Sequence, residues 1–363
     1  MKLLKLLWVL LLVPITTHAA NLEKELVDTL LNATVRVVSY TTEIEAKGVG
    51  AGVIISKSGL ILTNYHVIHG AIKVKVYLRK DRMRTPHIAT IKAIDPVSDL
   101  ALLDIDPWPE EVFYPVELED NMDNMYVGSE VIAVGHPLRL PWTVTKGIIN
   151  YINRPSFITP YVFLIQHDAI INQGNSGGPL FNLQGNLIGI NTYMIAPEGK
   201  YSGMGYAVQI DTVAKSLTQM MELGEVIRPA MRLNLLQLND DVRNFILDKE
   251  DPDPYVPNSF GMIMNFIEPD SHADKQGMKN FDVIVSVDGY PINDMRDIQR
   301  VMYDKKPGEL IYLLVNRKGE FILIPFVLET LELADDFYDE EEPSGDVPPD
   351  DSEEKDLEDS GEE

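Results

Sequence analysis

The sequence predicts a mostly β protein of two successive domains, the first an antiparallel barrel or sandwich. Two observations carry this. Between Val35 and Val208, short runs rich in Val, Ile, Leu, Thr and Tyr recur, punctuated by Gly, Pro, Asn and Asp. Beyond a helical stretch and a break at Arg228-Pro229, a further segment of roughly one hundred residues carries its own strand and helix pattern.

Taken in order, residues 1–20 read as an export signal. Lys2 and Lys5 precede an apolar run from Leu6 to Ile15, and Thr17-His18-Ala19-Ala20 supplies small residues for cleavage. An uncleaved membrane anchor is the rival reading, although about ten apolar residues are short for a bilayer. Leu22, Leu26, Leu30 and Leu31 then recur at helical spacing. Strands are expected at 35–40, 50–55, 60–63, 73–78, 90–94 and 100–105. Others follow at 130–134, 144–151, 162–166, 187–191 and 205–208. Asp211 reads as an N-cap, Val213, Leu217, Met220 and Met221 share one face, and Gly224 suits the C-cap. In the second domain, strands are expected at 262–267 and 282–287, with a turn at Asp288-Gly289. A helix at 294–303 follows, then strands 310–315 and 321–327 pairing across Arg317-Lys318-Gly319. The three prolines in 249–257 mark a loop.

The formal charge of −25 is uneven: from Glu329 onward, 18 acidic residues face one lysine, Lys355. That tail has too little apolar content to repay ordering and is expected to be disordered. Without a basic stripe, nucleic-acid binding is not expected. The chain has no cysteine, which excludes disulfides, thiol nucleophiles and thiolate metal sites. His69, His87 and His272 lack ligand spacing and are read as surface residues. No metal and no cofactor are predicted.

The chemistry is expected around Ile171-Asn172-Gln173-Gly174-Asn175-Ser176-Gly177-Gly178-Pro179-Leu180. Acyl transfer needs a hydroxyl held clear of its own backbone, beside N–H groups aimed where an oxyanion forms. Gly174 lets the chain bend so that its own N–H and that of Ser176 converge, while Gly177 and Gly178 remove side chains that would block a substrate carbonyl. A serine among glycines is more often only a turn. Upstream, His66 follows a strand and precedes the turn His69-Gly70; such an imidazole could exchange a proton with Ser176, or could simply be packed. Asp99 enters the apolar run Leu100-Ala101-Leu102-Leu103, which is costly unless its charge meets a donor such as a histidine N–H. Asp95, four residues earlier, is expected to cap a turn. The order His66…Asp99…Ser176 is that of chymotrypsin-like proteases and differs from the Ser…Asp…His order of α/β-hydrolases.

These blocks, with Gly135-His136-Pro137, residues 143–149 and Gly203-Met204-Gly205-Tyr206-Ala207, resemble an HtrA/Deg-family serine protease with a single C-terminal PDZ domain. The resemblance covers about residue 30 to 327. It implies a signal peptide (1–20), a chymotrypsin-like double β-barrel (21–228), a PDZ domain (229–328) and an acidic tail (329–363). His66, Asp99 and Ser176 would be general base, orienting carboxylate and nucleophile. The oxyanion hole would lie at Gly174, Asn175 and Ser176, and the specificity pocket would be lined by Ile170, Ile171, Tyr206 and Ala207. With no acidic residue just before Ile171, cleavage after small or medium aliphatic residues is expected. PDZ peptide binding would fall on Met231, Arg232 and Leu233. Polypeptide substrates, C-terminal peptides at the PDZ domain, a homotrimer and a periplasmic location are implied.

The sequence departs from the family pattern at four places. His136 replaces a small polar residue and His167 a threonine, through drift or local pH sensitivity, with drift preferred. Arg232 and Phe281 stand where glycine is usual. The competing class is a peptide-binding adaptor whose protease site is latent; a non-proteolytic esterase is disfavoured because no lid or apolar insertion is visible.

Overall fold

The computed structural model describes residues 24–43, 46–81, 85–137, 140–156, 162–194, 203–247 and 261–332. The readings on 1–20, 249–257 and 333–363 therefore lie outside the described residues. After α1 (Lys24–Ala33) come six strands, β1 (Thr34–Tyr40), β2 (Ala46–Ile54), β3 (Leu60–Thr63), β4 (Lys73–Tyr77), β5 (His87–Asp95) and β6 (Leu100–Asp104). They close as a barrel in the order β1-β2-β3-β6-β5-β4. In β4, buried Val74 and Val76 alternate with half-buried Lys73, Lys75 and Tyr77, which is why this segment is a strand with one inward face. Those valines join Val35, Val37, Ile61 and Leu103 in the barrel interior.

A second closed barrel, ordered β10-β11-β12-β9-β8-β7, follows. Its strands are β7 (Glu130–Gly135), β8 (Thr143–Pro155), β9 (Phe163–His167), β10 (Pro179–Phe181), β11 (Leu187–Met194) and β12 (Gly205–Gln209). The double barrel predicted from the sequence is thus present. A one-turn helix, α2 (Tyr65–Ile68), sits on the first barrel, and α3 (Ile210–Leu223) packs against strands of both. Gly224 ends α3 in the left-handed region at φ 77°, as expected. Its N-cap is Gln209 rather than Asp211, because β12 runs straight into the helix and places Asp211 in the first turn.

The chain then leaves the barrels through β13 (Pro229–Ala230). A five-strand path orders β14 (Asn234–Gln237), β15 (Met262–Phe266), β16 (Val283–Val287), β18 (Leu310–Arg317) and β19 (Glu320–Val327), with β17 (Tyr290–Pro291) pairing on β16. Helices α4 (Asp240–Leu247), α5 (His272–Lys275) and α6 (Met295–Met302) complete this unit. Asp294 caps α6 by accepting from the N–H groups of Arg296 and Asp297. Ile284, Val287, Ile298, Met302, Leu313 and Phe326 form the core. β14 lies at one edge of this sheet.

The unit rests on the second barrel. The Tyr303 ring meets Phe163 edge-on at 5.0 Å, and the Lys215 ammonium lies 3.4 Å from the Tyr303 centroid while pairing with the Asp304 carboxylate. Burial raises the Tyr303 hydroxyl above its ordinary pKa. The boundary expected at 328/329 does not mark the end of ordered structure. Glu329–Thr330 forms β20, which pairs with β13, and Leu331 packs against the core of the barrels. One apolar residue among acids suffices here because the partner strand and the barrel surface are already in place. His87 is not a surface residue either: it is 3% exposed, stacks on Trp108 at 4.3 Å and meets the Asp106 carbonyl at 3.0 Å.

Candidate active site

His66 sits within α2, whose first residue, Tyr65, donates its backbone N–H to the Asp99 carbonyl at 3.1 Å. Asp99 closes the turn between β5 and β6 in the left-handed region at φ 53°, a conformation that costs a non-glycine residue about 1 kcal/mol. Its carboxylate accepts from the His66 backbone N–H at 2.9 Å, from His66 Nδ1 at 2.7 Å and from Thr192 Oγ1 at 2.6 Å. The donors demanded by a carboxylate entering an apolar strand are thus found. Because the carboxylate accepts, Nδ1 is the protonated ring nitrogen of a neutral His66 and Nε2 the one with an acceptor lone pair. The His66 side chain is 33% exposed and that of Asp99 15%, so the imidazole is open to solvent while its partner is more sheltered.

Ser176 lies between the barrels. Its carbonyl accepts from the Ala51 N–H of β2 at 2.8 Å, and its Oγ donates to the Thr192 carbonyl at 3.0 Å. Thr192 is the residue that sequence reasoning missed: its carbonyl holds the serine and its hydroxyl holds the aspartate that holds the histidine. One threonine in an apolar strand carries no local signal for that role.

The glycines around Ser176 have clear causes. Gly174 has φ 104°, and a Cβ there would stand 2.3 Å from the His136 carbonyl oxygen. At Gly177, with φ 81°, a Cβ would lie 2.3 Å from both the Ala51 carbonyl oxygen and Thr63 Oγ1. Close approach of the first barrel therefore requires Gly177, whereas the sequence reading assigned it to clearance for substrate. The backbone N–H groups of Gly174 and Ser176 have no acceptor among the described residues. That of Asn175 donates to the Asn172 carbonyl at 3.0 Å, and its side chain is packed against Gly135. Of the stretch Gly174, Asn175 and Ser176 expected at the oxyanion hole, the Asn175 N–H is thus engaged, and the N–H groups of Gly174 and Ser176 are the pair the sequence reading named.

The pocket residues do not share one environment. Ile170 is 53% exposed, beside a groove lined by Lys146, Gly147, Ile148 and Asp168. Ile171, Tyr206 and Ala207 are buried in the barrel core, and Ile171 approaches Gly205. Tyr206 stacks on Tyr193 at 5.1 Å. The acid nearest Ile171, Asp168, is exposed and accepts from the Ile148 N–H at 2.7 Å. His167 lies behind this wall: it meets Asn191 Oδ1 at 3.0 Å, and its ring touches the space a Gly205 side chain would fill. Burial pushes both His136 and His167 down to about 4.

In the second unit, Arg232 and Phe281 both adopt left-handed backbone, at φ 50° and 67°. The two glycine-type conformations expected there persist without the glycines. Met231 points its side chain into the unit's core and Leu233 packs partly against it. The Arg232 guanidinium meets the Thr330 carbonyl at 3.1 Å, Glu332 at 2.9 Å and Glu329 at 3.6 Å. Among the described residues no group of three or more His, Asp or Glu is arranged to hold a metal ion, and no helix is long and apolar enough to cross a membrane.

Residues 50–190 match the model of a trypsin-like peptidase domain and residues 228–324 that of a PDZ domain. The periplasmic serine endoprotease DegP of Salmonella typhimurium is 35% identical over 282 residues, covering 77% of this chain and 56% of that protein. The putative serine protease HhoA of Synechocystis sp. is 38% identical over 261 residues, covering 70% of this chain and 64% of that one. The chain thus spans a little over half the length of these curated relatives. Among solved structures, the HtrA-type protease AlgW with a decapeptide superposes with a TM-score of 0.72 at 26% identity, covering 85% of this chain and 98% of that chain. Two closed barrels, a PDZ-type sheet after them, matches to both domain models in that order and relatives named DegP and HtrA-type proteases lead to one assignment: the chain belongs to the HtrA/Deg family of trypsin-like peptidase domains followed by a PDZ domain.

Proposed function

We propose that this chain is an HtrA-type serine endopeptidase that hydrolyses unfolded or regulatory proteins outside the cytoplasm. The observation that carries the reading is the Thr192-centred link joining Ser176, Asp99 and His66. Rotation of Ser176 about χ1 releases Oγ from the Thr192 carbonyl and offers it to His66 Nε2. Nε2 takes the hydroxyl proton as Oγ attacks the scissile carbonyl, and Asp99 stabilises the imidazolium that results. The N–H groups of Gly174 and Ser176 receive the oxyanion. His66 then returns the proton to the departing amine, and water, deprotonated by the same imidazole, releases the acyl group.

An apolar wall at Ile171, with Asp168 directed to the surface, supports a preference for small or medium aliphatic side chains before the cut. The exposed edge of β14 supports capture of an extended peptide by strand addition, with the loop at Met231, Arg232 and Leu233 beside its terminus. A periplasmic location follows the names of relatives, and a homotrimer and an export signal at 1–20 follow the family resemblance. Turnover of unfolded casein by the parent and by Ser176→Ala tests the reading. The variant is expected to fold normally and to lose about a million-fold in kcat. Equal cleavage by both proteins would refute the assignment.

A further inference from the structure

Four residues below Asp99, the carboxylate of Asp95 is fully buried and holds more partners than a turn cap requires. It accepts from the Ser98 N–H at 3.2 Å, as a capping aspartate should, and from Ser216 Oγ of α3 at 2.6 Å. It also receives both arms of a guanidinium: Arg228 Nη1 reaches Oδ1 at 2.6 Å and Nη2 reaches Oδ2 at 2.7 Å. The same Nη2 donates to Ser98 Oγ at 2.5 Å. The Asp95 side chain is 0% exposed and that of Arg228 12%, so the carboxylate is buried and only the guanidinium keeps a little solvent contact.

This cluster grips the turn that presents Asp99. The Asp99 N–H donates to the Pro96 carbonyl at 3.1 Å, closing 96–99, and Ser98 is the residue immediately before the left-handed Asp99. A left-handed aspartate persists only where its surroundings hold it there. The restraints are the contacts to Asn64 and α2, the Thr192 hydroxyl and, through Asp95 and Ser98, the Arg228 fork. Arg228 is also the last residue before β13, and its carbonyl accepts from the Leu331 N–H at 2.8 Å. The chain entering the PDZ domain and the chain leaving it therefore meet at the residue that clamps the Asp99 turn.

We propose that Arg228 is a positioning residue for proteolysis: its fork on Asp95 and Ser98 fixes the turn that aims Asp99 at His66, from the root of the PDZ domain. The inference rests on the reading of His66, Asp99 and Ser176 as the catalytic groups. A lysine keeps the charge but cannot supply two parallel bonds to Asp95 and a third to Ser98. Loss of the fork lets the turn relax, so the imidazolium formed during reaction is less well met by the carboxylate.

The test uses the full chain, with Arg228→Lys, Ser98→Ala and a matched control, Arg317→Lys. Arg317 makes a similar two-armed pair with the buried Asp282, at 2.7 Å for each arm, inside the PDZ unit and without a bond to the Asp99 turn. Fluorophosphonate labelling of the parent at Ser176 establishes first that the site is active. Arg228→Lys and Ser98→Ala are expected to lower kcat on unfolded casein about tenfold, the amount 1.4 kcal/mol of transition-state stabilisation supplies, with KM changed less than about twofold. The acid limb of the kcat profile should move to lower pH, because a misaligned carboxylate supports the imidazolium less. Arg317→Lys should leave both readouts at the parental value. A folded Arg228→Lys with unchanged kcat and pH limb would overturn the proposal, as would an equal loss in Arg317→Lys. If Arg228→Lys fails to fold, Ser98→Ala decides by the same criteria. Failure of the parent to label would sink the protease reading and the clamp with it, whereas a labelled parent beside unaffected variants sinks the clamp alone.

Discussion

Replacing Thr192 by valine probes the link that holds the site together. Valine is nearly isosteric and suits a strand, so β11 should be preserved, and the Thr192 carbonyl that holds Ser176 remains. What disappears is the 2.6 Å hydrogen bond from Oγ1 to the Asp99 carboxylate. A hydrogen bond to a charged group contributes about 1.5–3 kcal/mol. Asp99 keeps both His66 donors, so the lower part of that range applies to a carboxylate still held in place. If the loss falls mainly on the transition state, where His66 carries charge, about 1.5–2.5 kcal/mol becomes a fall in kcat of roughly 10- to 70-fold. KM should change little, because Thr192 Oγ1 lies behind Asp99. Steady-state cleavage of labelled casein measures both constants, thermal unfolding checks the fold, and Thr192→Ser should recover most of the activity. A kcat within twofold of the parent, or a serine variant as impaired as the valine one, would refute the reasoning.

Two further outcomes are expected. Gly174→Ala forces a Cβ against the His136 carbonyl at φ 104°, so it should displace the oxyanion donors and slow fluorophosphonate labelling by about a hundredfold or more; labelling at the parental rate would show that these N–H groups do not serve the oxyanion. His136 and His167 are held near 4, mainly by burial, against an ordinary 6.5. Above pH 6.5 neither the folded nor the unfolded state is protonated there. As pH falls from 6.5 towards 4 the unfolded chain takes up protons that the folded one refuses, so stability is lost across that window. The loss is about 2 kcal/mol for each histidine at pH 5. Urea midpoints at pH 7.5 and pH 5 measure it, and His167→Thr should remove about half of it; an identical pH dependence in that variant would contradict the assignment.

The short strands, the helix that closes the first domain, the pairing of strands expected at 310–315 and 321–327, and the order of His66, Asp99 and Ser176 were all legible in the sequence. Alternation of apolar residues, caps and glycine-rich turns are local properties, and local properties are written in the sequence. The same holds for the glycine at 174, whose bend follows from its missing side chain. Partnerships between distant residues are different. Nothing near Thr192 marks it as the donor to Asp99, 93 positions away, and nothing near Arg228 marks it as the partner of Asp95, 133 positions away. His87 looked like a surface histidine until Trp108 closed over it, and Glu329–Leu331 looked like part of a solvated tail until β13 and the barrel surface offered it a place. By itself, then, the sequence determined the chain's strands, its domain order and the order of its candidate site residues, because those depend on neighbours within a few residues. Only the tertiary structure decided which donor meets which acceptor, because burial and hydrogen-bond direction are set by elements that the chain brings together from far apart.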